Sequence, residues 1–149
     1  MSKKVIQLSW NDFRSACIQL AATIRSSNFQ PDILVAVARG GWIPTRYLSD
    51  ILDVKKIASI GLMYSDAQRN TLVTYSIPDP ITKGADLLLI EDFLETGVSL
   101  INARDILNKL GANVRTASLY YQAGTAILPD YSIGSIDSKL VFPWENSST

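Results

Sequence analysis

The strongest constraint on the fold is a short apolar run that ends at two acidic residues. Residues 87–90 read Leu-Leu-Leu-Ile, which is too short for a helix and predicts a strand buried in the middle of a parallel sheet. Glu91 and Asp92 follow at once, and we expect the strand to stop at this pair. Open α/β sheets bind their ligands just outside the carboxyl ends of the strands. The stretch therefore predicts an α/β fold with a polar site at this edge.

The residues after the acidic pair indicate an anion site. Thr96, Gly97 and Ser99 begin a predicted helix, whose first N–H groups lack intrahelical partners and carry the positive end of the helix dipole. Gly97 allows backbone amides to approach a phosphate closely, and the two hydroxyls add donors. The carboxylates upstream suit a sugar diol or Mg²⁺. An ordinary connection between a strand and a helix would show the same pattern.

A second strand, loop and helix precede the first set. Residues 33–38 form a buried apolar run, Arg39, Gly40 and Gly41 follow, and residues 42–52 have a helical pattern. The glycines let N–H groups face an anion closely, and Arg39 adds a fixed positive charge. By itself, this stretch also fits a Gly-Gly turn that packs a helix on a strand.

Composition limits the classes of protein that remain. The 149 residues are 47% hydrophobic, which predicts one globular domain, residues 1–149, with a sizeable core. Fourteen basic and fourteen acidic residues cancel, so we expect no nucleic acid and no acidic membrane as the main partner. One cysteine and no histidine exclude an intrachain disulfide, a His-Asp triad and His-ligated zinc. No apolar run is long enough for a signal peptide or a membrane span, and we expect a soluble, cytoplasmic protein.

The first helix is predicted from its cap and its apolar stripe. Ser9 fits the N-cap position, with Asp12 three residues further on. Apolar residues follow on one face at three- and four-residue spacing: Trp10, Phe13, Cys17, Leu20 and Ile24. We expect this face to pack on the sheet, and we expect Cys17 to be a core residue because no neighbouring base would lower its pKa.

The remaining elements complete an α/β pattern. Strands are predicted at residues 57–64, 72–75 and 115–121, and the central helix is predicted to continue over residues 101–110 to Gly111 as its C′ residue. The polar segment 65–70 reads either as a mobile loop or as a solvated hairpin tip.

These motifs resemble the signature of the type I phosphoribosyltransferases. In that family a strand, an acidic pair, a short loop, Asp-Thr-Gly and a helix bind the ribose 5-phosphate of phosphoribosyl pyrophosphate; residues 91–97 here read Glu-Asp-Phe-Leu-Glu-Thr-Gly. Glu95 stands where the family has Asp. Residues 35–52 resemble the pyrophosphate loop and following helix of xanthine-guanine and archaeal hypoxanthine-type enzymes, which implies a cis peptide between Ala38 and Arg39.

The resemblance implies a fold and a set of roles. The fold would be a mostly parallel, twisted sheet flanked by helices, with a small C-terminal hood at about residues 122–145. The activity would be Mg²⁺-dependent transfer of ribose 5-phosphate from phosphoribosyl pyrophosphate to a purine base, in a homodimer or homotetramer. Glu91, Asp92 and Glu95 would be the catalytic carboxylates, the first two also holding the ribose hydroxyls and, largely through substrate, Mg²⁺. Pyrophosphate would lie on Arg39, Gly40 and Gly41, and the ribose phosphate on residues 95–99: Glu95, Thr96, Gly97, Val98 and Ser99.

The base side of the implied site matches the family less well. The lysine that reads the purine oxygen in the family is replaced by Tyr121 or Gln122, depending on a one-residue choice of alignment, and the stacking aromatic is replaced by Lys139, which Leu140 follows. Lys139 reads either as a base-binding residue or as a solvated surface lysine, and Phe93 as a stacking face or as core. Hypoxanthine, guanine and xanthine remain the expected bases. A different base, or a regulatory protein of the same fold, is the alternative.

Overall fold

The computed structural model describes residues 3–78 and 83–145. This part of the chain forms three helices and eight strands. In chain order they are β1 (Val5–Gln7), α1 (Trp10–Ser26), β2 (Ile33–Ala38), α2 (Trp42–Leu52), β3 (Ile57–Tyr64), β4 (Leu72–Ser76), β5 (Asp86–Leu94), α3 (Val98–Lys109), β6 (Asn113–Tyr121), β7 (Gly134–Ser135) and β8 (Lys139–Val141). None of these helices is long and apolar enough to cross a membrane.

The main sheet has six strands in the order β4-β3-β2-β5-β6-β7. Every neighbouring pair is parallel except β3 and β4, which form an antiparallel hairpin. The central strands β2 and β5 are buried on both faces, as their continuous apolar runs predict. The predicted fold class, a mostly parallel α/β sheet flanked by helices, is confirmed.

Two hydrophobic cores lie on the two faces of this sheet. Leu88 and Ile90 of β5 belong to the core that contains the apolar side of α1, while Leu87 and Leu89 belong to the core that contains α3. Alternate side chains of a strand point to opposite faces, so a four-residue apolar run supplies both cores. This double burial fixes β5, and with it the position of the residues at its end.

Strand β5 extends further than predicted. Instead of stopping at the carboxylates, it continues to Leu94, because β6 is equally long and pairs with it through Glu91–Ser118, Phe93–Tyr120 and Leu94–Tyr121. The expectation that the strand ends at the acidic pair is therefore wrong. Glu91 and Asp92 are held by the sheet ladder itself and not by a free loop.

The cap and stripe of α1 are confirmed with one exception. The Ser9 hydroxyl accepts from the Asp12 N–H, and the Asp12 carboxylate accepts from the Ser9 N–H, which is a complete capping box. The later stripe residues are fully buried, Cys17 among them. Trp10 is 52% exposed, because it lies in the first turn beyond the sheet, where its ring packs against Trp144.

A second, two-stranded sheet joins opposite ends of the described chain. Strands β1 and β8 are parallel, with Val5 opposite Lys139, Ile6 opposite Leu140 and Gln7 opposite Val141. The C-terminal hood therefore does not stand alone, because an N-terminal strand completes it. Strand β1 has only three residues and no alternating pattern, which is why the sequence did not reveal it.

Candidate active site

The acidic pair and the glycine loop meet at the carboxyl edge of the main sheet. A Cβ atom added to Gly40 would lie 2.6 Å from Asp92 Oδ1, and one added to Gly41 would overlap the Ile90 carbonyl oxygen. Only glycine permits so close an approach of the β2–α2 loop to β5. The two motifs, read separately from the sequence, thus belong to one surface.

Both carboxylates of the pair are difficult to ionise where they stand. Burial raises the pKa of Glu91 to about 8, and the charge of Asp92 adds to the rise. Burial also raises the pKa of Asp92 to about 6; the Phe93 N–H, which donates to Asp92 Oδ1 over 2.7 Å, opposes the rise, and Glu145 adds to it. A cation at this edge would stabilise the charged form of both groups.

The loop between β5 and α3 is supported by the segment that follows β6. Gly97 is the N-cap residue of α3 and has φ +80°, a left-handed conformation that favours glycine. A Cβ atom at Gly97 would lie 2.6 Å from Thr125 Oγ1, and the Ala126 N–H donates to the Thr96 carbonyl oxygen over 2.8 Å. Gly97 provides no side-chain cap to α3, and the Val98 N–H makes only a long hydrogen bond, 3.4 Å, to Thr96 Oγ1. The first turn therefore keeps amides that an anion can bind.

The remaining predicted anion-binding residues surround this edge. Arg39 follows β2 directly and is exposed, and the predicted cis peptide between Ala38 and Arg39 is present. Val98 is exposed at the start of α3, and Ser99 is half-buried. The structure thus brings the predicted pyrophosphate loop, acidic pair and ribose-phosphate loop to the ends of the two central strands.

A cavity of about 410 Å³ adjoins Asp92, the second residue of the acidic pair. Its walls come from the ends of β5 and β6, from the hood and from the chain before β1. The lining residues are Lys3, Asp92, Phe93, Glu95, Gln122, Ser138, Lys139, Leu140, Phe142 and Glu145. The volume is that of a small-molecule site.

All but one of the predicted base-binding residues line the cavity. Phe93, Gln122, Lys139 and Leu140 line it, whereas Tyr121 is absent from the lining and packs against the core on the α3 side. Neighbouring residues of a strand end point to opposite faces. Of the two alternatives, Gln122 is therefore the residue that faces the cavity.

Four lining residues were not identified from the sequence. Phe142 is 2% exposed and its ring stacks on Trp144 with centroids 4.7 Å apart. The Phe142 N–H donates to Glu145 Oε2 over 2.7 Å, which closes the turn. The sequence Phe-Pro-Trp-Glu held a usable signal for these two. Lys3 and Ser138 carried none, since their positions depend on the pairing of β1 with β8.

The metal-binding capacity of the edge is limited to the acidic pair. Within residues 3–78 and 83–145, no three His, Cys, Asp or Glu side chains are grouped to hold a metal ion. Glu91 and Asp92 offer carboxylate oxygens, which suit Mg²⁺. An ion here would take its other ligands from substrate or water.

A mostly parallel α/β sheet with two glycine-containing loops, an acidic pair and a small-molecule-sized cavity at its carboxyl edge is typical of a nucleotide-binding α/β protein. The family model for the phosphoribosyl transferase domain matches residues 8–148, and the chain belongs to this family. It is a phosphoribosyltransferase enzyme.

Known proteins resemble the chain over nearly its whole length. A xanthine-guanine phosphoribosyltransferase from Gluconobacter oxydans is 23% identical over 145 residues, which cover 94% of this chain and 84% of the relative. A purine phosphoribosyltransferase structure from Pyrococcus horikoshii is 28% identical, with a TM-score of 0.89 and coverage of 98% and 97% of the two chains. A Helicobacter pylori xanthine-guanine-hypoxanthine phosphoribosyltransferase shares the fold at 23% identity, with a TM-score of 0.86 and coverage of 95% and 94%.

Proposed function

We propose that the protein transfers ribose 5-phosphate from phosphoribosyl pyrophosphate to a purine base, releasing pyrophosphate and forming a nucleoside monophosphate in purine salvage. The observation that carries the proposal is the placement of an anion loop, an acidic pair and a base-sized cavity along one sheet edge. Relatives named as purine phosphoribosyltransferases support the choice of base class. Hypoxanthine, guanine and xanthine are the proposed substrates.

The phosphate groups bind to backbone amides on both sides of the acidic pair. The 5-phosphate takes the start of α3, from Glu95 through Thr96, Gly97 and Val98 to Ser99, where uncapped amides and two hydroxyls converge. Pyrophosphate takes the loop of Arg39, Gly40 and Gly41. The lack of Cβ atoms in that loop lets the backbone approach the leaving group.

Glu91 and Asp92 hold the ribose hydroxyls and an Mg²⁺ ion. Both carboxylates offer hard oxygen donors to a cation. Burial has raised the pKa of each, so a nearby cation favours their charged forms. When bound, Mg²⁺ neutralises charge on the pyrophosphate leaving group. The protein itself contributes orientation and fixed negative charge beside the ribose ring.

Catalysis needs no covalent enzyme intermediate. As the bond to pyrophosphate loosens, C1 of the ribose gains positive character, and the preorganised carboxylates stabilise it electrostatically. Glu95 lines the cavity and does the work of the family's Asp near the purine N7, as a proton acceptor or an electrostatic partner. Phe93 offers an apolar face to the base, and Gln122 offers an amide donor and acceptor.

A non-catalytic nucleotide-binding role, or transfer to a different base, is the second candidate. The replacement of the family's oxygen-reading lysine by Gln122 at the cavity favours it. The retained acidic pair favours the enzyme.

A panel of bases tests the proposal. Hypoxanthine, guanine, xanthine, adenine and orotate are each incubated with phosphoribosyl pyrophosphate, with and without Mg²⁺, and nucleotide formation is measured. We expect Mg²⁺-dependent turnover with an oxopurine, lost in the Glu91→Gln, Asp92→Asn double variant. Binding of phosphoribosyl pyrophosphate without turnover of any base would overturn the enzymatic proposal and favour the regulatory one.

The proposal extends to the assembly and location of the protein. A cytoplasmic homodimer or homotetramer follows from the family resemblance, and the buried, unpaired Cys17 agrees with a reducing compartment. Light scattering coupled to size exclusion measures the assembly: a mass equal to one chain of 16.4 kDa at micromolar concentration would contradict it.

A further inference from the structure

Each end of the described chain places one lysine at the same cavity. Lys139 begins β8 opposite Val5, and its N–H donates to the Lys4 carbonyl oxygen over 2.9 Å. This pairing holds the residues before β1 beside the hood. Lys3 and Lys139 both line the cavity, whereas Lys4, between Lys3 and β1, does not.

These two ammonium groups are the cations among the described residues that line the cavity. The other polar groups there are the Gln122 amide, the Ser138 hydroxyl and three carboxylates. Asp92 and Glu95 come from β5 and the loop after it, and the Glu145 carboxylate accepts from the Phe142 N–H. The hood and the chain before β1 therefore contribute two ammonium groups, one hydroxyl and one carboxylate to the lining.

Lysine donates and never accepts a hydrogen bond. A base edge that faces two ammonium groups must carry two acceptors, because an amino group there would place donor against donor. Xanthine has carbonyl oxygens at C2 and C6. Hypoxanthine lacks the C2 oxygen, guanine has an amino group at C2, and adenine has an amino group at C6.

We propose that Lys3 and Lys139 together form the base-selecting wall of the cavity and select a dioxopurine over purines with fewer carbonyl groups. This inference rests on the proposed phosphoribosyl transfer and names the substrate class of that same site. Lys139 acts from the hood and Lys3 from the chain before β1, whereas the family's single lysine corresponds to the end of β6.

The test compares three lysines that are close in space. Lys3→Met, Lys139→Met and their double variant are assayed with xanthine, hypoxanthine and guanine, with Lys4→Met as the matched control for loss of one charge from the same segment. We expect the parent to prefer xanthine. Each single change in the wall should lower kcat/KM for xanthine about 10- to 100-fold, and the other bases much less. Lys4→Met should match the parent.

Further readouts separate base selection from structure. The KM for phosphoribosyl pyrophosphate and the Tm should stay at the parent values, and Lys3→Arg should restore part of the xanthine preference because it restores the donor. An equal loss with all three bases, a Lys3→Met variant that matches Lys4→Met, or a parent that prefers guanine would overturn the inference.

A binding measurement keeps the inference independent of turnover. Calorimetry with the monophosphates of xanthosine and inosine should show tighter binding of the former, and Lys3→Met should remove the difference. Absence of turnover in the parent with this discrimination intact would contradict only the proposed enzymatic function. Turnover with no such discrimination would contradict only the lysine wall.

Discussion

The proposed ribose-phosphate side and the proposed base side of the site are built in different ways. The first consists of short contiguous segments at the ends of β2 and β5, two strands locked in the sheet by burial on both faces. The second gathers residues from β5, the end of β6, the hood and the chain before β1. Residues that are neighbours in sequence supply the first, and residues far apart in sequence supply the second. A site made of neighbouring residues leaves a readable motif, whereas one gathered from distant segments does not.

This contrast predicts that substitutions of Gly40 and Gly41 lower activity more than substitutions elsewhere in the site. A Cβ atom at Gly40 would meet Asp92 Oδ1 at 2.6 Å, so Gly40→Ala must displace the carboxylate. We expect kcat/KM to fall about 100-fold or more, because displacements near 1 Å at a reacting centre have effects of that size. Gly134→Ala is the matched control, since a Cβ atom there meets nothing within 4 Å. Parent-like activity of a folded Gly40→Ala variant would contradict this distinction between the two sides of the site.

Glu95 lies where the two sides meet, so its substitution sharpens the comparison. Glu95→Gln removes the charge with little change of shape, and we expect kcat to fall roughly 100-fold, the lower end for loss of a general acid or base. Calorimetric affinity for phosphoribosyl pyrophosphate should stay near the parent value, since the effect belongs to the transition state. Glu95→Asp, which has the family's residue, should retain more activity. Lost affinity with normal kcat at saturation would instead assign Glu95 to the phosphate loop.

Substitutions on the hood side should change the KM for the base and leave the KM for phosphoribosyl pyrophosphate unchanged. Phe142 lines the cavity and stacks on Trp144, so Phe142→Leu should raise KM for the base about 5- to 10-fold, in line with the loss of about 1 kcal/mol of aromatic contact. The KM for phosphoribosyl pyrophosphate should not move. Phe29→Leu, which removes a ring stacked on Tyr131 away from the cavity, controls for lost stability. A rise in both KM values would mean that the hood also shapes the phosphate side.

The smallest effect is expected outside both regions, at the cap of α1. Hydrogen bonds from the Ser9 N–H and hydroxyl hold the pKa of Asp12 below its ordinary value of 3.8. The stabilisation is therefore present above that ordinary value and is lost as the pH falls through the lower, folded-state pKa. Asp12→Asn should lower Tm at neutral pH, with the difference shrinking in acid and activity unchanged. A Tm difference independent of pH would show that the charge of Asp12 is not involved.

Much of the fold was predictable because it depends on local patterns. The capping box of Ser9 and Asp12, the bounds of β2 and α2, and the left-handed Gly111 all follow from residues close together in sequence. The end of β5 was not predictable in this way. Whether Glu91 and Asp92 continue the strand depends on pairing with β6, a partner that no local pattern specifies.

The same distinction between local patterns and long-range pairing applies to the residues of the proposed site. Gly40, Gly41 and the acidic pair could be proposed from the sequence because phosphate and sugar chemistry requires particular residues in a fixed order. The choice between Tyr121 and Gln122 needed the register of β6, since adjacent residues of a strand face opposite ways. Lys3 needed the pairing of β1 with β8, a contact between segments far apart in the chain.

The pairing of β1 with β8 also sets the order in which parts of the fold can form during translation. Strand β1 is translated before the other described elements, but its partner β8 is the last of them to be translated. The central strands can find each other earlier, because β2, β5 and β6 are all complete by Tyr121. If the proposed roles are right, a nascent chain holds its phosphate-binding loops before it has the wall that recognises a base, and selectivity is acquired after them.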